Sequence, residues 1–282
     1  MRLVVFLPYH WILALGRLLG RTYRRLSPKR QKIAATNLVL CFPDSSEEWR
    51  NQLLLNSFDS IGMSLFETAL CWWGSAQKVK HLGHITGLEH LNQAVNKGKG
   101  VLLLSAHFLV PEVGGRFLAE RITFDAMYRR SSNLLMDQII LAQRKKRLGN
   151  LISTKDVRTA IRGLKKGKIL WYATDQNSAR MESVFVDFFG IKASSSTATA
   201  RLAKITGAAV VPFLTVRRKD GTGYDSILQP ALKNYPTGDV LEDTQRINDM
   251  VEAWVREYPT QYLWTHRRFR TRPDKLEPAF YE

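Results

Sequence analysis

A chain of 282 residues with 45% hydrophobic content is long enough to bury a sizeable core and too apolar to remain disordered. Its 42 Lys and Arg against 25 Asp and Glu leave +17 at pH 7, which points to an anionic partner: a nucleic acid, an anionic membrane surface, or an acidic protein or substrate. Cys41 and Cys71 both fall in apolar helical patterns, which speaks against a disulfide framework, and His81, His84 and His90 lack the cysteines or carboxylates that would complete a zinc site.

The stretch Leu3 to Leu19 is apolar but interrupted by Pro8, His10 and Arg17, and falls short of the about 20 clean apolar residues that a membrane span needs. No small-residue cleavage site follows it, so a signal peptide is not indicated. Arg17, Arg21, Arg24, Arg25, Lys29, Arg30 and Lys32 follow instead, and Tyr9 and Trp11 suit a membrane interface. Residues 1–25 therefore read as an interfacial anchor on an anionic cytoplasmic leaflet; the alternative is a core helix with a basic outer face. Residues 26–282 show no internal repeat and no linker, and read as one domain.

Ser27-Pro28 predicts an N-cap and first position of a helix to about Leu40, and Ser45 with Glu48 predicts a capping box for a long helix toward Trp73. From there helical and strand patterns alternate. Helices are expected over residues 88–95, 112–120, 133–148, 157–166, 196–206 and 244–257, and strands over 101–106, 123–128, 151–153, 168–173, 208–216 and 224–229. Strands separated by helices of this length predict an α/β fold with a largely parallel central sheet flanked by helices.

Functional sites in such sheets lie at the carboxyl ends of the strands. Three groups fall there: His107 after the first strand, Tyr128-Arg129-Arg130 after the second, and Thr174-Asp175-Gln176-Asn177 after Trp171-Tyr172-Ala173. His107 and Glu112 stand five residues apart, which on one continuous helix turns through roughly 140° and separates the side chains. With His107 in the strand-to-helix turn and Glu112 in the first helical turn after Pro111, the two can meet, and an ionised Glu112 would fix the imidazole tautomer. That arrangement is the base-plus-orienter half of a triad, with His107 the general base and Glu112 its orienter; a structural His and Glu at a common spacing is the alternative. No G-x-S-x-G elbow, Walker loop or G-x-G-x-x-G is present, so hydrolase, nucleotidase and dinucleotide readings lose support.

The segments Asn37 to Pro43, Glu67 to Trp73, Leu102 to Glu112, Tyr128-Arg129, Trp171 to Gln176, Val184 to Gly190, Thr206 to Pro212 and Gln261 to Pro273 together resemble the bacterial lipid A biosynthesis acyltransferases. These are the late, Kdo-dependent acyltransferases within the wider His-x4-Asp/Glu glycerolipid acyltransferase group, and the resemblance runs from about Leu7 to Pro273. It implies a glycerol-3-phosphate acyltransferase-like fold and a donor acyl–acyl carrier protein, used as substrate, with no cofactor and no metal. The acceptor it implies is a hydroxyl on a 3-hydroxyacyl chain of a lipid A precursor, at the cytoplasmic face of the inner membrane. It maps the catalytic pair onto His107 and Glu112, and the substrate-facing arginine and acid-amide pair onto Arg129, Asp175 and Gln176. Arg130 is a further candidate for phosphate or sugar-acid groups, Asp175 and Gln176 for sugar hydroxyls, and Arg267 and Arg268 either face anionic head groups or cover a core edge with their stems. Three positions depart from the family pattern: Pro111 where Leu is usual, Arg130 where Pro often stands, and Asn177 where Asp often stands. Another lipid or glycan acceptor, or a non-catalytic anionic-lipid binder, are the competing readings; no nucleic-acid-binding motif is present.

The basic charge is uneven. Residues 121–180 hold fourteen Lys and Arg against four Asp and Glu, more than half of the net +17 in about a fifth of the chain. The acidic carrier protein and the phosphorylated acceptor are the partners it would serve.

Overall fold

The computed structural model describes residues 2–179, 182–274, 276 and 278–281. After a 3-10 turn at Arg2–Phe6, four helices open the chain: α1 (Tyr9–Leu26), α2 (Pro28–Cys41), α3 (Glu47–Trp73) and α4 (Ala76–Lys80). The α/β body follows as β1 (Gly83–Thr86), α5 (Leu88–Val95), β2 (Val101–Ser105), α6 (Pro111–Ala119), β3 (Asp125–Tyr128), α7 (Leu134–Lys145), β4 (Leu151–Ser153), α8 (Val157–Lys165) and β5 (Ile169–Ala173). A hairpin, β6 (Ser183–Phe188) and β7 (Ile191–Ser196), precedes α9 (Ala198–Thr206), β8 (Ala209–Arg217), β9 (Tyr224–Leu228) and α10 (Val240–Glu257).

The sheet has seven strands in the order β1-β9-β8-β2-β5-β3-β4, parallel throughout except where β8 meets β9. β2 lies at its centre because all five of its residues are buried, a continuous apolar run that only a strand covered on both faces can bury. One face packs Leu103, Phe124, Trp171 and Phe213 together, and the other packs Leu102, Leu104, Leu170 and Val210. The expected α/β architecture with a largely parallel sheet is therefore present, and the strand and helix positions agree to within a few residues. Three local expectations change. The cap of α3 is Ser46, whose hydroxyl accepts from the Trp49 N–H at 3.1 Å, one residue later than the expected Ser45 box. Ser27 precedes α2 without a side-chain capping bond. Helix α10 begins four residues early because Asp239 accepts from the N–H groups of Leu241 and Glu242.

A buried ion pair joins the helical layer to the sheet. Glu67 of α3, fully buried, takes both arms of the Arg217 guanidinium from the end of β8 and the Tyr224 hydroxyl from β9 at 2.8 Å. A buried charge is tolerable only when paired and hydrogen-bonded in this way. Burial favours loss of the Arg217 proton, but the Glu67 charge and hydrogen bond outweigh it, and the Arg217 pKa lies above its ordinary value. On its other side α3 receives α1, and here small residues let the backbones touch. A methyl group added at Gly62 would lie 2.1 Å from the Gly16 carbonyl oxygen and 2.3 Å from the Gly20 nitrogen.

No described helix is long and apolar enough to cross a membrane. Helix α1 buries Ile12, Leu13, Gly16 and Gly20 against the body and leaves Trp11, Leu15 and Leu18 exposed.

The substitution Gly62→Ala is expected to force α1 off α3 and to destabilise the protein by about 1–3 kcal/mol, the usual cost of overpacking. Urea unfolding measures this, and an unchanged midpoint would refute the close-approach argument.

Candidate active site

The end of β2 is held before any chemistry begins. The Ser105 hydroxyl accepts from the Trp171 indole N–H at 2.8 Å and donates to the Phe213 carbonyl at 2.7 Å, which locks the carboxyl end of β2 to β5 and β8. The chain then leaves the sheet through Ala106 to Val110 and enters α6 at Pro111, whose missing N–H is harmless at a helix start. A C-terminal segment lies against this turn. Phe108 forms an isolated antiparallel bridge with Tyr262, the Leu263 N–H donates to the His107 carbonyl at 3.2 Å, and the Leu109 N–H donates to the Gln261 carbonyl at 3.0 Å.

His107 meets Asp175, two residues beyond the end of the neighbouring strand β5. Its Nδ1 lies 2.7 Å from Asp175 Oδ1, and its backbone N–H donates to the same oxygen at 2.9 Å. The Tyr262 hydroxyl donates to Asp175 Oδ2 at 2.9 Å. Asp175 is 3% exposed, so its charge is satisfied wholly by these partners. Burial alone would raise the Asp175 pKa, but the His107 charge, its hydrogen bond and the Tyr262 hydroxyl bring it below the ordinary value. For His107 burial pulls downward, the Asp175 charge and hydrogen bond pull upward more strongly, and the net direction is up. Protein surrounds most of the ring, yet 37% of the His107 side chain reaches solvent. With Nδ1 committed to Asp175, Nε2 is the nitrogen left to accept a proton.

This corrects the expected pairing of His107 with Glu112. Glu112 does stand in the first turn of α6, but its carboxylate is held elsewhere. Oε1 accepts from Arg144 Nε at 2.9 Å and Nη2 at 2.6 Å, and Oε2 accepts from the Trp72 indole N–H at 2.9 Å. Arg144 comes from the last turn of α7 and Trp72 from the end of α3, so Glu112 ties three helices together. A carboxylate offers about four acceptor sites, and these bonds use three. The crevice beside it is lined by Cys71, Trp72, Gly115, Gln143, Arg144 and Arg147.

The other expected site residues divide. Arg129 and Arg130 are exposed in the turn after β3, on the same rim as His107 and Asp175, and Arg130 Nε lies 3.6 Å from Asp137. Gln176 and Arg267 are half-buried. Arg268 is not available to a substrate. It is 3% exposed, donates to the Ser194 carbonyl at 2.8 Å and the Ser195 hydroxyl at 2.6 Å, and lies over the Phe188 ring. Tyr262, Arg144 and Trp72 were not expected as site residues; Tyr262 falls inside the Gln261–Pro273 block, while nothing in the sequence marks Arg144. Near the Asp175 turn, His266 Nε2 accepts from the Asn177 N–H at 3.1 Å. Burial, together with the charges of His107, Arg268 and Arg30 and against that of Asp175, brings the His266 pKa down to about 4, so this second imidazole stays neutral near pH 7.

Residues 1–271 match the family model described as bacterial lipid A biosynthesis acyltransferase. The chain is 36% identical over 280 residues to the lipid A biosynthesis lauroyltransferase of Escherichia coli strain K12, covering 99% of this chain and 91% of the relative. It is 35% identical over 270 residues to the palmitoleoyltransferase of the same organism, covering 95% and 88%. Against that organism's myristoyltransferase the identity is 26% over 265 residues, covering 92% and 81%.

The raised His107 pKa means that the pair with Asp175 stabilises the fold fully below the ordinary histidine value of about 6.5, and that this contribution is lost as pH rises through the higher folded value. In Asp175→Asn only the downward pull of burial remains, so NMR titration should find His107 with a pKa below about 6.5 instead of above it. A His107 titration unmoved by this change would show that Asp175 is not its electrostatic partner.

Proposed function

Because the chain belongs to the bacterial lipid A biosynthesis acyltransferase family and is an acyltransferase, we propose that it moves a fatty acyl chain from an acyl–acyl carrier protein to a lipid A precursor bearing Kdo sugars. The acceptor is the hydroxyl of a 3-hydroxyacyl chain. The observation that carries this reading is the His107–Asp175 bond, which leaves Nε2 free at a rim open to solvent.

A free alcohol is a poor nucleophile near neutral pH, and a positioned imidazole is a suitable base. His107 Nε2 takes the acceptor's proton as its oxygen attacks the thioester carbonyl carbon. The new C–O bond gives a tetrahedral oxyanion. The C–S bond then breaks, and the departing carrier thiol takes the proton back from His107. Asp175 holds the ring in its tautomer and stabilises the imidazolium that forms between the two transfers. Glu112, counter-charged by Arg144, keeps one acceptor position for a substrate O–H. The Glu112 and Val113 N–H groups in the first turn of α6, which have no intrahelical acceptor, suit the oxyanion. Arg129 and Arg130 suit the acceptor's phosphate and sugar-acid groups, or the phosphate of the carrier's prosthetic arm, with Gln176 and Arg267 as further contacts. No covalent acyl-enzyme is required.

The reading extends to the cytoplasmic face of the inner membrane. Trp11, Leu15 and Leu18 form an exposed apolar stripe on α1, and arginines lie beside it, as in an interfacial helix on an anionic leaflet. The basic stretch from 121 to 180 suits the acidic carrier protein.

Mass spectrometry of lipid A from cells lacking this gene tests the assignment. One fatty acyl chain should be missing, restored by the wild-type gene and not by His107→Ala; unchanged acylation in the deletion would sink the reading. In the purified reaction, raising salt from about 0.05 to 0.5 M should increase KM for the acyl-carrier donor several-fold while kcat changes little. A kcat effect without a KM effect would remove the electrostatic role given to the carrier protein.

A further inference from the structure

Helix α1 has three faces rather than two. Successive residues turn by roughly 100°, so spacing alone assigns them. Ile12, Leu13, Gly16 and Gly20 face α3, and Trp11, Leu15 and Leu18 face outward, 56%, 37% and 62% exposed. Arg17, Arg21 and Arg24, three and four residues apart, form the remaining edge. That edge overhangs a cleft of about 240 Å³, into which Arg21, Arg24 and Arg25 of α1 and Gln52, Asn56 and Asp59 of α3 project.

The charges in the cleft do not cancel. Asp59 is its one carboxylate, and Arg21 takes it, with Nε 3.2 Å from Oδ1 and Nη2 3.2 Å from Oδ2. Arg24 and Arg25 have no acidic partner among the described residues. The Nε of Arg24 is buried with no hydrogen-bond partner. A buried donor without an acceptor is rare in a folded protein. Arginines in a last helical turn often serve the helix's own carbonyl ends, but Arg24 makes no such bond. Gln52 donates to Asn56 Oδ1 at 3.0 Å, which leaves the Asn56 amide N–H groups to donate. The cleft thus presents two unpaired guanidinium groups and an amide, and wants an anion with several acceptor oxygens.

We propose that this cleft binds the phosphate of an anionic membrane lipid. Guanidinium groups match phosphate oxygens in geometry as well as charge. The outward stripe on the adjacent face of the same helix selects a lipid as the source: with Trp11, Leu15 and Leu18 in the interface, the basic edge lies at head-group depth. The cleft is lined only by α1 and α3, apart from the His107 rim, so it holds the enzyme on the bilayer and does not select the acceptor. The proposal rests on the membrane attachment given above and adds its point of lipid recognition.

Flotation with vesicles tests it, comparing phosphatidylcholine alone with phosphatidylcholine containing 30% phosphatidylglycerol, as about one anionic lipid in three approximates an anionic leaflet. The wild-type protein should prefer the anionic vesicles. Arg24→Gln/Arg25→Gln should weaken that binding about 10–30-fold, the factor expected for two basic groups at a membrane surface. Lys219→Gln/Lys233→Gln, which removes the same charge from exposed positions elsewhere, should weaken it much less. Asn56→Asp, which puts a second carboxylate into the cleft from α3, should reproduce the arginine effect without altering α1. Equal losses in the arginine and lysine pairs would overturn the site and leave net charge as the cause. Competition by inorganic phosphate with no preference for anionic vesicles would overturn the lipid assignment. Failure of the wild-type protein to bind either vesicle would overturn the attachment itself, independently of acyl transfer measured on detergent-dispersed acceptor.

Discussion

The buried carboxylate of Asp175 is the contact on which the arrangement of the rim depends. It accepts from the backbone and ring of His107 and from the Tyr262 hydroxyl, and so joins the turn after β2, the turn after β5 and the C-terminal segment at one point. An ionised carboxylate removed from water must find partners, and these three satisfy both of its oxygens. The same requirement fixes the orientation of the His107 imidazole. Because the His107 backbone N–H and Nδ1 share one oxygen, the ring cannot rotate without leaving Asp175 short of a donor. Orientation, tautomer and basicity thus follow from one solution to a desolvation problem.

Helix α3 carries that logic across the molecule. Its 27 residues span about 40 Å at 1.5 Å per residue, and from its middle to its end it makes polar contacts to three different parts of the molecule. Asp59 meets Arg21 on the side of α1, Glu67 meets Arg217 and Tyr224 on the side of the sheet, and Trp72 meets Glu112 at the start of α6. The helix that packs against the apolar N-terminal segment is therefore also the helix that holds a carboxylate of the site. A shift of α1 on α3 would be felt at Glu112 through a rigid element rather than through a loop.

Much of the architecture was legible because its signals are local. The run Val101 to Leu104 reads as a short buried strand, and the glycines at 167 and 207 end helices in the left-handed conformation that glycine favours. The rim was legible too, since strand order alone puts His107, Arg129 and Asp175 at the same edge. The partner of His107 was not. Spacing arguments see five residues to Glu112 and cannot weigh a carboxylate 68 residues away, although the sheet register brings Ala173 beside Ser105. Arg268 was misread for a related reason: an arginine in a basic tract reads as a surface charge, yet here it satisfies a carbonyl and a hydroxyl at the buried end of β7. The β6–β7 hairpin also escaped, because its turn uses Phe189 and Gly190, both with positive φ, in place of a recognisable Asn-Gly or Asp-Gly pair.

The net charge of +17 therefore overstates what a partner meets, since Arg116, Arg144, Arg217 and Arg268 are spent inward, on carbonyls and on Glu112 and Glu67. What remains outside is predominantly basic along α7 and α8. Lys145 and Lys146 at the end of α7 and Arg158, Arg162 and Lys165 on α8 are all exposed, and α8 contains no acidic residue. The two populations obey different physics. Exposed charges act over a Debye length of about 8–10 Å, are weakened by salt, and chiefly speed and orient encounter. Buried charges are screened little and fix distances, as Arg144 does for Glu112. In the reaction proposed above, between a protein-borne thioester and a membrane-borne alcohol, both partners must arrive by encounter and then be aligned to within a fraction of an ångström. The division of arginines and lysines between surface and interior matches those two demands.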